Sequence, residues 1–280
     1  MHTPVYLNEV LEGLQVHSGG MYIDGTYGEG GHGREISRLG GKLLGIDLDE
    51  EQVARTRESG GWKVEDGNLK VVQGNYADIE QIAKENDFFP VDGVLLDLGL
   101  SMDQLNRAGK GLSFKKLDEP LDMRIQKTGN QSAADLVNAS NTDELYEIFT
   151  RNSEEIDSWE IALSVNRATR VKPIKTVGDL IEAMGTFGAS ESIKRRIFQA
   201  LRIEVNHEFE NIEKGIEGGY AVLKVNGRMA VITFHSLEDR LVKQWARKNM
   251  VKEVVKHLSR GDRTAKFESS AVLRIFEKKI

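Results

Sequence analysis

The chain has 280 residues, of which 39% are hydrophobic and 29% are charged, a balance typical of globular proteins, and its lack of cysteine excludes disulfides and thiolate zinc sites. It has no apolar run long enough to cross a bilayer, and Met1–Glu9 is polar and ends in an acid, so we expect a cytoplasmic protein without a secretory leader. The net charge of −6 weighs against general coating of nucleic acid, but it leaves room for one local basic surface.

The first hundred residues predict strands that alternate with helices. The predicted strands are Met21–Asp24, Lys42–Ile46, Leu69–Gln73 and Val91–Leu96, and the predicted helices are Val5–Leu14, Arg34–Leu39 and Ile79–Glu85, with a further helix starting at the acids Asp49 and Glu50. This rhythm fits right-handed βαβ units, so we predict an α/β fold with a mostly parallel sheet.

The rhythm breaks near Arg107, and up to Glu208 the sequence predicts only helices. They are Ala133–Asn138, Thr142–Phe149, Trp159–Thr169, Val177–Met184 and Ser192–Asn206. The α/β pattern returns with a helix at Phe209–Leu223, an Asn226-Gly227 turn, a strand at Arg228–Phe234, a helix at Ser236–Lys248, and a terminal antiparallel pair at Val251–His257 and Ala271–Glu277. We therefore predict a sheet domain, residues 1–106 and 208–280, interrupted by an all-helical domain, residues 107–207.

The segment Asp24–Gly33 lies where the first strand gives way to a helix, and it is rich in glycine. Gly28, Gly30 and Gly33 match the G-x-G-x-x-G pattern of dinucleotide sites, which keeps an NAD enzyme open. Asp24 favours S-adenosylmethionine instead, because a carboxylate suits a sulfonium and an ammonium better than a pyrophosphate. A glycine-rich turn without a ligand is the third interpretation.

Two side chains after the next strands are candidates for the same ligand. Asp47 ends the second strand and can accept hydrogen bonds from both hydroxyls of a ribose, although an acid here also suits a helix start. Tyr76 follows the third strand, where it can stack on adenine or simply cover the surface.

Several longer segments are more specific: His2–Val5, Asp24–His32, Asp97–Ser101, Pro120–Arg124, Phe198–Asn206 and Phe234–Arg240. Together they resemble one family, the MraW/RsmH methyltransferases. Members of that family use S-adenosylmethionine to methylate N4 of a cytidine in small-subunit ribosomal RNA. The chain departs from the family in basic segments, at Ile156–Ile161, Ser192–Arg196 and Lys266–Ser270, which concern RNA contacts rather than the cofactor.

The resemblance implies a class I methyltransferase (Rossmann-like) sheet that binds S-adenosylmethionine, and an inserted helical domain for substrate recognition. By position, the family's cofactor residues fall on Gly30, Gly31, His32, Asp47, Tyr76, Asp97 and Gln104. The implied partner is ribosomal RNA or the small subunit; we expect no membrane partner and no metal site, and we leave monomer or homodimer open.

Methyl transfer to an amine is an in-line displacement, so the enzyme must hold N4 opposite the sulfur. Asp97, or the backbone carbonyls of Leu98–Ser101, is our candidate for orienting the amine, and a purely cofactor-binding Asp97 is the alternative. Four further substrate contacts are predicted, at Ser101, Arg202, Asn206 and His235. For His235 the alternative is a helix cap, and Ser236 with Asp239 resembles a capping box.

Three classes of protein therefore stay open from the sequence. The first is an RNA cytidine N4-methyltransferase or a relative that methylates another RNA or a protein. The second is an NAD-dependent oxidoreductase. The third is an assembly factor that keeps the fold and has lost turnover.

Overall fold

A computed structural model describes residues 4–58, 68–99, 109–126, 131–258 and 270–279. The chain forms two compact units, one made of Met1–Gly99 with Phe209–Ile280 and the other of Leu100–Glu208. We call them the sheet unit and the helical unit. No helix in these described ranges is long and apolar enough to cross a membrane.

The sheet unit is built on seven described strands in the order β3-β2-β1-β4-β5-β7-β6. They are β1 (Met21–Asp24), β2 (Lys42–Asp47), β3 (Leu69–Gln73), β4 (Val91–Asp97), β5 (Leu223–Thr233), β6 (Glu253–Leu258) and β7 (Val272–Glu277). The first five run parallel, and β7 is antiparallel to both β5 and β6. The predicted mostly parallel sheet and the antiparallel terminal pair are confirmed.

Helices connect these strands and cover the sheet. They are α1 (Leu7–Gly13), α2 (Gly31–Arg38), α3 (Glu50–Glu58), α4 (Ile79–Glu85) and, after the helices of the helical unit, α10 (Glu208–Ala221) and α11 (Ser236–Lys248). The central strands are apolar on both faces, as parallel strands between helices must be. Val94, Leu95 and Leu96 of β4, for example, are all fully buried.

The helical unit has its own apolar core. The helices of this unit are α5 (Ala133–Ala139), α6 (Thr142–Ser153), α7 (Ser158–Thr169), α8 (Val177–Ala183) and α9 (Glu191–Val205). Capping boxes at Ser132, Asn141 and Thr176 start three of these helices by satisfying their first backbone N–H groups. Among the described residues of this unit the extended pairing is a single isolated bridge, between Pro120 and Thr176.

Two local predictions after Glu208 were wrong. The helix predicted to reach Leu223 ends at Ala221, because Leu223 is already the first residue of β5 and lies beside Val91 of β4. The predicted Asn226-Gly227 turn is a bulge within β5, where the register to β4 shifts and Asn226 takes a φ of 64°. A bulge inserts extra residues into a strand that otherwise continues.

Candidate active site

The carboxyl ends of β1 and β4 are joined by one short side chain, Thr26. The Thr26 hydroxyl accepts a 2.7 Å hydrogen bond from the backbone N–H of Asp97. The backbone N–H of Thr26 donates to Oδ1 of Asp24 at 3.1 Å. Thr26 therefore fixes two acids next to each other at the edge of a parallel sheet where ligands bind, a role that the sequence analysis missed.

The glycine-rich segment Asp24–Gly33, which we call the glycine loop, then bends sharply toward the end of β2. Gly28 and Gly30 have φ values of 52° and 74°, a backbone conformation that residues with a Cβ adopt only at a cost in free energy. The Gly28 N–H donates to Oδ2 of Asp47 at 2.7 Å, and Oδ1 of Asp47 accepts the Asp49 N–H at 2.8 Å. Each carboxylate oxygen has a second lone pair, so Asp47 can hold the loop and still accept bonds from a ligand.

Tyr76 lies beside this loop. It begins a short 3₁₀ turn, Tyr76–Asp78, that Asn75 caps by accepting the Ala77 N–H. A Cβ on Gly25 would stand 3.2 Å from Cβ of Tyr76, and a Cβ on Gly215 would collide with its ring. Glycines at both positions thus let Tyr76 pack closely, with its Cβ against Gly25 and its half-buried ring against Gly215 of α10. Stacking of this ring on adenine stays a prediction.

His32, in the first turn of α2, is buried rather than presented to solvent. Its Nε2 lies 3.0 Å from the carbonyl oxygen of Val5, which can only accept, so Nε2 carries the proton. Burial lowers the pKa of His32 to about 4 against the opposing effect of that bond. The neutral ring turns its other nitrogen, Nδ1, toward Oδ2 of Asp97 at 3.7 Å.

The carboxyl of Asp97 is the most perturbed group at this edge. Its Oδ1 is buried and has no hydrogen-bond partner among the described residues, although about a quarter of the side chain, 26%, is exposed. Burial raises its pKa to about 8, and the nearby carboxyls of Asp24 and Glu238 raise it further. Burial likewise raises the pKa of Asp24 to about 7, with Asp47 adding to the effect.

The end of β5 completes the same edge. The hydroxyl of Thr233, like Oδ1 of Asp97, is buried without a hydrogen-bond partner in the described part of the chain. Unpartnered buried polar atoms are rare in folded proteins, and a polar ligand is one partner that would explain them. Two of them at the ends of β4 and β5 indicate a binding site there.

The capping box of α11 was predicted one residue too late. His235, not Ser236, is the N-cap, and Glu238, not Asp239, is its reciprocal partner. The His235 Nδ1 accepts the Glu238 N–H at 3.3 Å, while Oε2 of Glu238 accepts the N–H groups of Phe234 and His235 at 2.7 and 3.2 Å. Asp239 is bound to Arg274 instead, at 2.7 Å. The cap interpretation of His235 describes its geometry, and contact with substrate stays a prediction.

Glu238 was not singled out from the sequence, yet it is 1% exposed and contributes to the charge around Asp97. Its signal was present, because an acid three residues after an N-cap, here His235, occupies the N3 position of a capping box. It was missed because the capping box was assigned to Ser236 and Asp239, serine being a usual N-cap residue.

In the helical unit, Arg202 and Asn206 are already engaged. Arg202 makes two hydrogen bonds to Glu208, at 2.8 and 3.0 Å. Asn206 is 7% exposed and ties the end of α9 to the segment before α5, since its amide oxygen accepts the Ile125 N–H and its amide nitrogen donates to the Met123 carbonyl, each at 2.9 Å. Two other predicted residues, Ser101 and Gln104, lie outside the described residues.

The sheet-unit residues fit S-adenosylmethionine. Its sulfonium and α-ammonium are cations, and the edge of the sheet supplies the carboxyls of Asp24, Asp97 and Glu238, two of them with pKa values that a cation would lower. The contacts of Asp47 with a ribose and of Tyr76 with adenine stay predictions. The parallel sheet with this strand order and this site define a class I methyltransferase.

Comparison with known proteins identifies the family. The chain matches the MraW methylase family over residues 1–279 and belongs to it. Its relatives include proteins named ribosomal RNA small subunit methyltransferase H. The one from Citrifermentans bemidjiense is 42% identical over 252 residues, which cover 87% of this chain and 80% of the relative. The one from Thermomicrobium roseum is 41% identical over 254 residues, 88% of this chain and 77% of the relative.

Solved structures include a putative rRNA methylase from Clostridium thermocellum. It has a TM-score of 0.49 and 11% identity, and the alignment covers 99% of this chain and all, 100%, of that one. The predicted family, the methyltransferase activity and the methyl donor S-adenosylmethionine are confirmed by the family match, and the NAD-dependent alternative is set aside.

Proposed function

We propose that this protein transfers the methyl group of S-adenosylmethionine to N4 of a cytidine in small-subunit ribosomal RNA. The relatives at 42% and 41% identity carry the name of a ribosomal RNA small subunit methyltransferase. The observation in the chain itself that carries the proposal is the buried, unpartnered Oδ1 of Asp97 at the end of β4. An acceptor in that place suits an exocyclic amine, which has N–H groups to donate.

The cofactor is held, in this proposal, by the loop and the strand ends around it. Backbone N–H groups at Gly31 and His32, in the first turn of α2, face the ligand, and Gly30, whose own N–H donates to the Tyr27 carbonyl, lets the loop pass close to it. Asp47 accepts from the ribose hydroxyls, and Tyr76 stacks on adenine. Gln104, implied by the family, completes the set, and its place lies outside the described residues. S-adenosylmethionine, once bound, supplies a methyl group already activated by the sulfonium.

Asp97 orients the amine. The N4 lone pair of cytosine is delocalised into the ring, and an N–H hydrogen bond to a carboxylate pushes electron density back toward nitrogen. With a pKa raised to about 8 by burial, Asp97 is largely protonated near neutral pH until a cation arrives. The carboxyl then ionises and becomes an acceptor. A role limited to binding the cofactor's ammonium is the competing assignment for the same oxygen.

Substrate recognition falls to the predicted helical domain, residues 107–207, with the sheet domain, residues 1–106 and 208–280, holding the cofactor. Contacts of Ser101, Arg202, Asn206 and His235 with RNA stay predictions. For Arg202 such a contact requires exchange of its bidentate bond with Glu208 for a phosphate. For Asn206 it competes with the bonds that hold Met123 and Ile125.

The test uses purified protein, methyl-labelled S-adenosylmethionine and small-subunit rRNA, offered both naked and in assembled subunits. We expect label in N4-methylcytidine after nuclease digestion. Asp97→Asn separates the two roles of that residue: amine orientation predicts normal cofactor affinity with turnover reduced at least about a hundredfold, whereas cofactor binding predicts weaker affinity. Label in another nucleoside, or in protein, contradicts the proposed target.

A further inference from the structure

A second feature of the sheet unit lies away from the cofactor site, between α11 and the edge strand β6. Residues 240–256 contain six basic residues and one acid, in a chain whose net charge is −6. A groove of about 500 Å³ opens here, and its lining includes Lys243, Arg247, Glu253, Lys256 and Arg274. We call it the basic groove.

Half of the charge in the basic groove is neutralised internally. Arg274, only 4% exposed, bonds to Asp239 at 2.7 Å and to both carboxylate oxygens of Glu253 at 2.8 and 2.7 Å. Lys243 also pairs with Asp239, at 3.2 Å. Two cations and two acids thus form a closed network that ties α11 to β6 and β7.

Two cations are left over, Arg247 and Lys256. Both side chains are exposed, and neither has a hydrogen bond or ion pair with any side chain in the ranges that the structure describes. Lys256 lies opposite Arg274 in the β6–β7 register, so both point to the face of the sheet that α11 covers. Exposed lysines on an edge strand also deter strand pairing, but that explanation does not extend to Arg247 on the helix.

The groove is placed to meet a long ligand that starts at the active site. Lys256 aligns through Arg274 with Val231 of β5, two residues before the strand end, or roughly 7 Å along the strand. Arg247 lies twelve residues along α11 from its cap His235, or roughly 18 Å along the helix axis. A polyanion whose target nucleotide occupies the strand ends can therefore reach both cations.

We propose that the basic groove binds backbone phosphates of the RNA on one side of the target nucleotide. That the polyanion is RNA rests on the proposed function. Arg247 and Lys256 neutralise phosphates and read no bases, so they add affinity and orientation to any sequence that the active site accepts. An acidic protein segment is the competing occupant of the same charges.

The test measures RNA affinity against salt, without turnover. Filter binding of transcribed small-subunit rRNA between about 50 and 200 mM salt compares the wild-type chain with Arg247→Gln/Lys256→Gln. Loss of two phosphate contacts lowers the slope of log K against log salt by about 1.4 to 1.8, and lowers affinity near 0.1 M salt by roughly 25- to 60-fold. The matched control is Lys42→Gln/Lys70→Gln, which removes two exposed charges from β2 and β3, at the edge of the sheet opposite to β6.

Arg247→Lys/Lys256→Arg, which keeps both charges, should retain the wild-type slope and so exclude a folding defect as the cause. Equal slopes for the neutral variant and the control overturn the proposal. The proposal is also overturned if substitution of Arg247 weakens the binding of a polyglutamate peptide and leaves the binding of RNA unchanged. A wild-type chain that binds RNA with the expected slope but forms no N4-methylcytidine contradicts the proposed function and leaves the groove standing.

Discussion

Lowering the pH from 8 to 6 should weaken the binding of S-adenosylmethionine, because Asp97 must ionise to receive a cation. In the cofactor-free protein burial raises the pKa of Asp97 to about 8, so at pH 6 the carboxyl is almost fully protonated. A sulfonium and an ammonium nearby favour the ionised form. Binding below pH 8 therefore releases a proton, and affinity rises with pH until the pKa is reached.

The size of the effect follows from that pKa. If Asp97 is ionised throughout the complex, the dissociation constant at pH 6 exceeds that at pH 8 by about fiftyfold, since each pH unit well below the pKa costs about 1.4 kcal/mol. Asp24, whose pKa burial raises to about 7, adds up to roughly another tenfold if it also ionises. The comparison ends at pH 8 because the ligand's own α-amino group titrates near there.

Isothermal titration calorimetry in two buffers of different ionisation enthalpy measures both the affinity and the protons released. Asp97→Asn has no proton to release, so its pH dependence should shrink to the contribution of Asp24. Glu85→Gln, an exposed acid on α4, is the control and should keep the wild-type dependence. A wild-type affinity that is constant from pH 6 to pH 8, with no proton release, would refute the electrostatic account of the site.

Three further substitutions test how the site is built. Gly28→Ala should cost about 1–2 kcal/mol of unfolding free energy, because Gly28 has a positive φ. Gly30→Ala should cost more and abolish cofactor binding, because a Cβ there would also stand 2.5 Å from the Tyr27 hydroxyl. Equal losses of thermal stability and of S-adenosylhomocysteine affinity in the two variants would contradict this. Thr26→Val should cost about 1–3 kcal/mol of unfolding free energy and weaken cofactor binding, because it leaves the Asp97 N–H without its acceptor. Thr26→Ser keeps that acceptor and should behave like the wild-type chain. Denaturant unfolding and calorimetry measure both effects, and equal behaviour of the two variants would count against the role of the hydroxyl. Asn206→Ala should cost a similar amount of stability and leave cofactor affinity unchanged; a stable variant with weakened RNA binding would show instead that Asn206 serves the substrate.

The sheet could be predicted from the sequence because its signals are local. β3 and α4 have the predicted bounds, Leu69–Gln73 and Ile79–Glu85, since short apolar runs bounded by polar residues carry strand and helix periodicity within a few residues. The order of the strands is not a local property. The sequence did not predict it beyond the class I methyltransferase sheet that the resemblance to one family implies.

The details of the site depend on contacts that no local pattern encodes. Thr26 meets the Asp97 N–H across 71 residues of sequence, and a threonine after an acid gives no sign of that partner. Arg202 and Asn206 share a helix face and so resembled a substrate surface, but Glu208 and the loop carbonyl of Met123 occupy them. The cap of α11 shifted by one residue because the imidazole of His235 accepts a hydrogen bond as a serine hydroxyl would.

The central claim, methylation of a cytidine at N4 in small-subunit rRNA, is tested most directly by mass spectrometry of rRNA nucleosides. The comparison uses cells with the gene, cells without it, and cells complemented with Asp97→Asn. We predict that N4-methylcytidine in small-subunit rRNA is present in the first, reduced or lost in the second, and not restored in the third. An unchanged level of N4-methylcytidine in cells without the gene would contradict the proposed target.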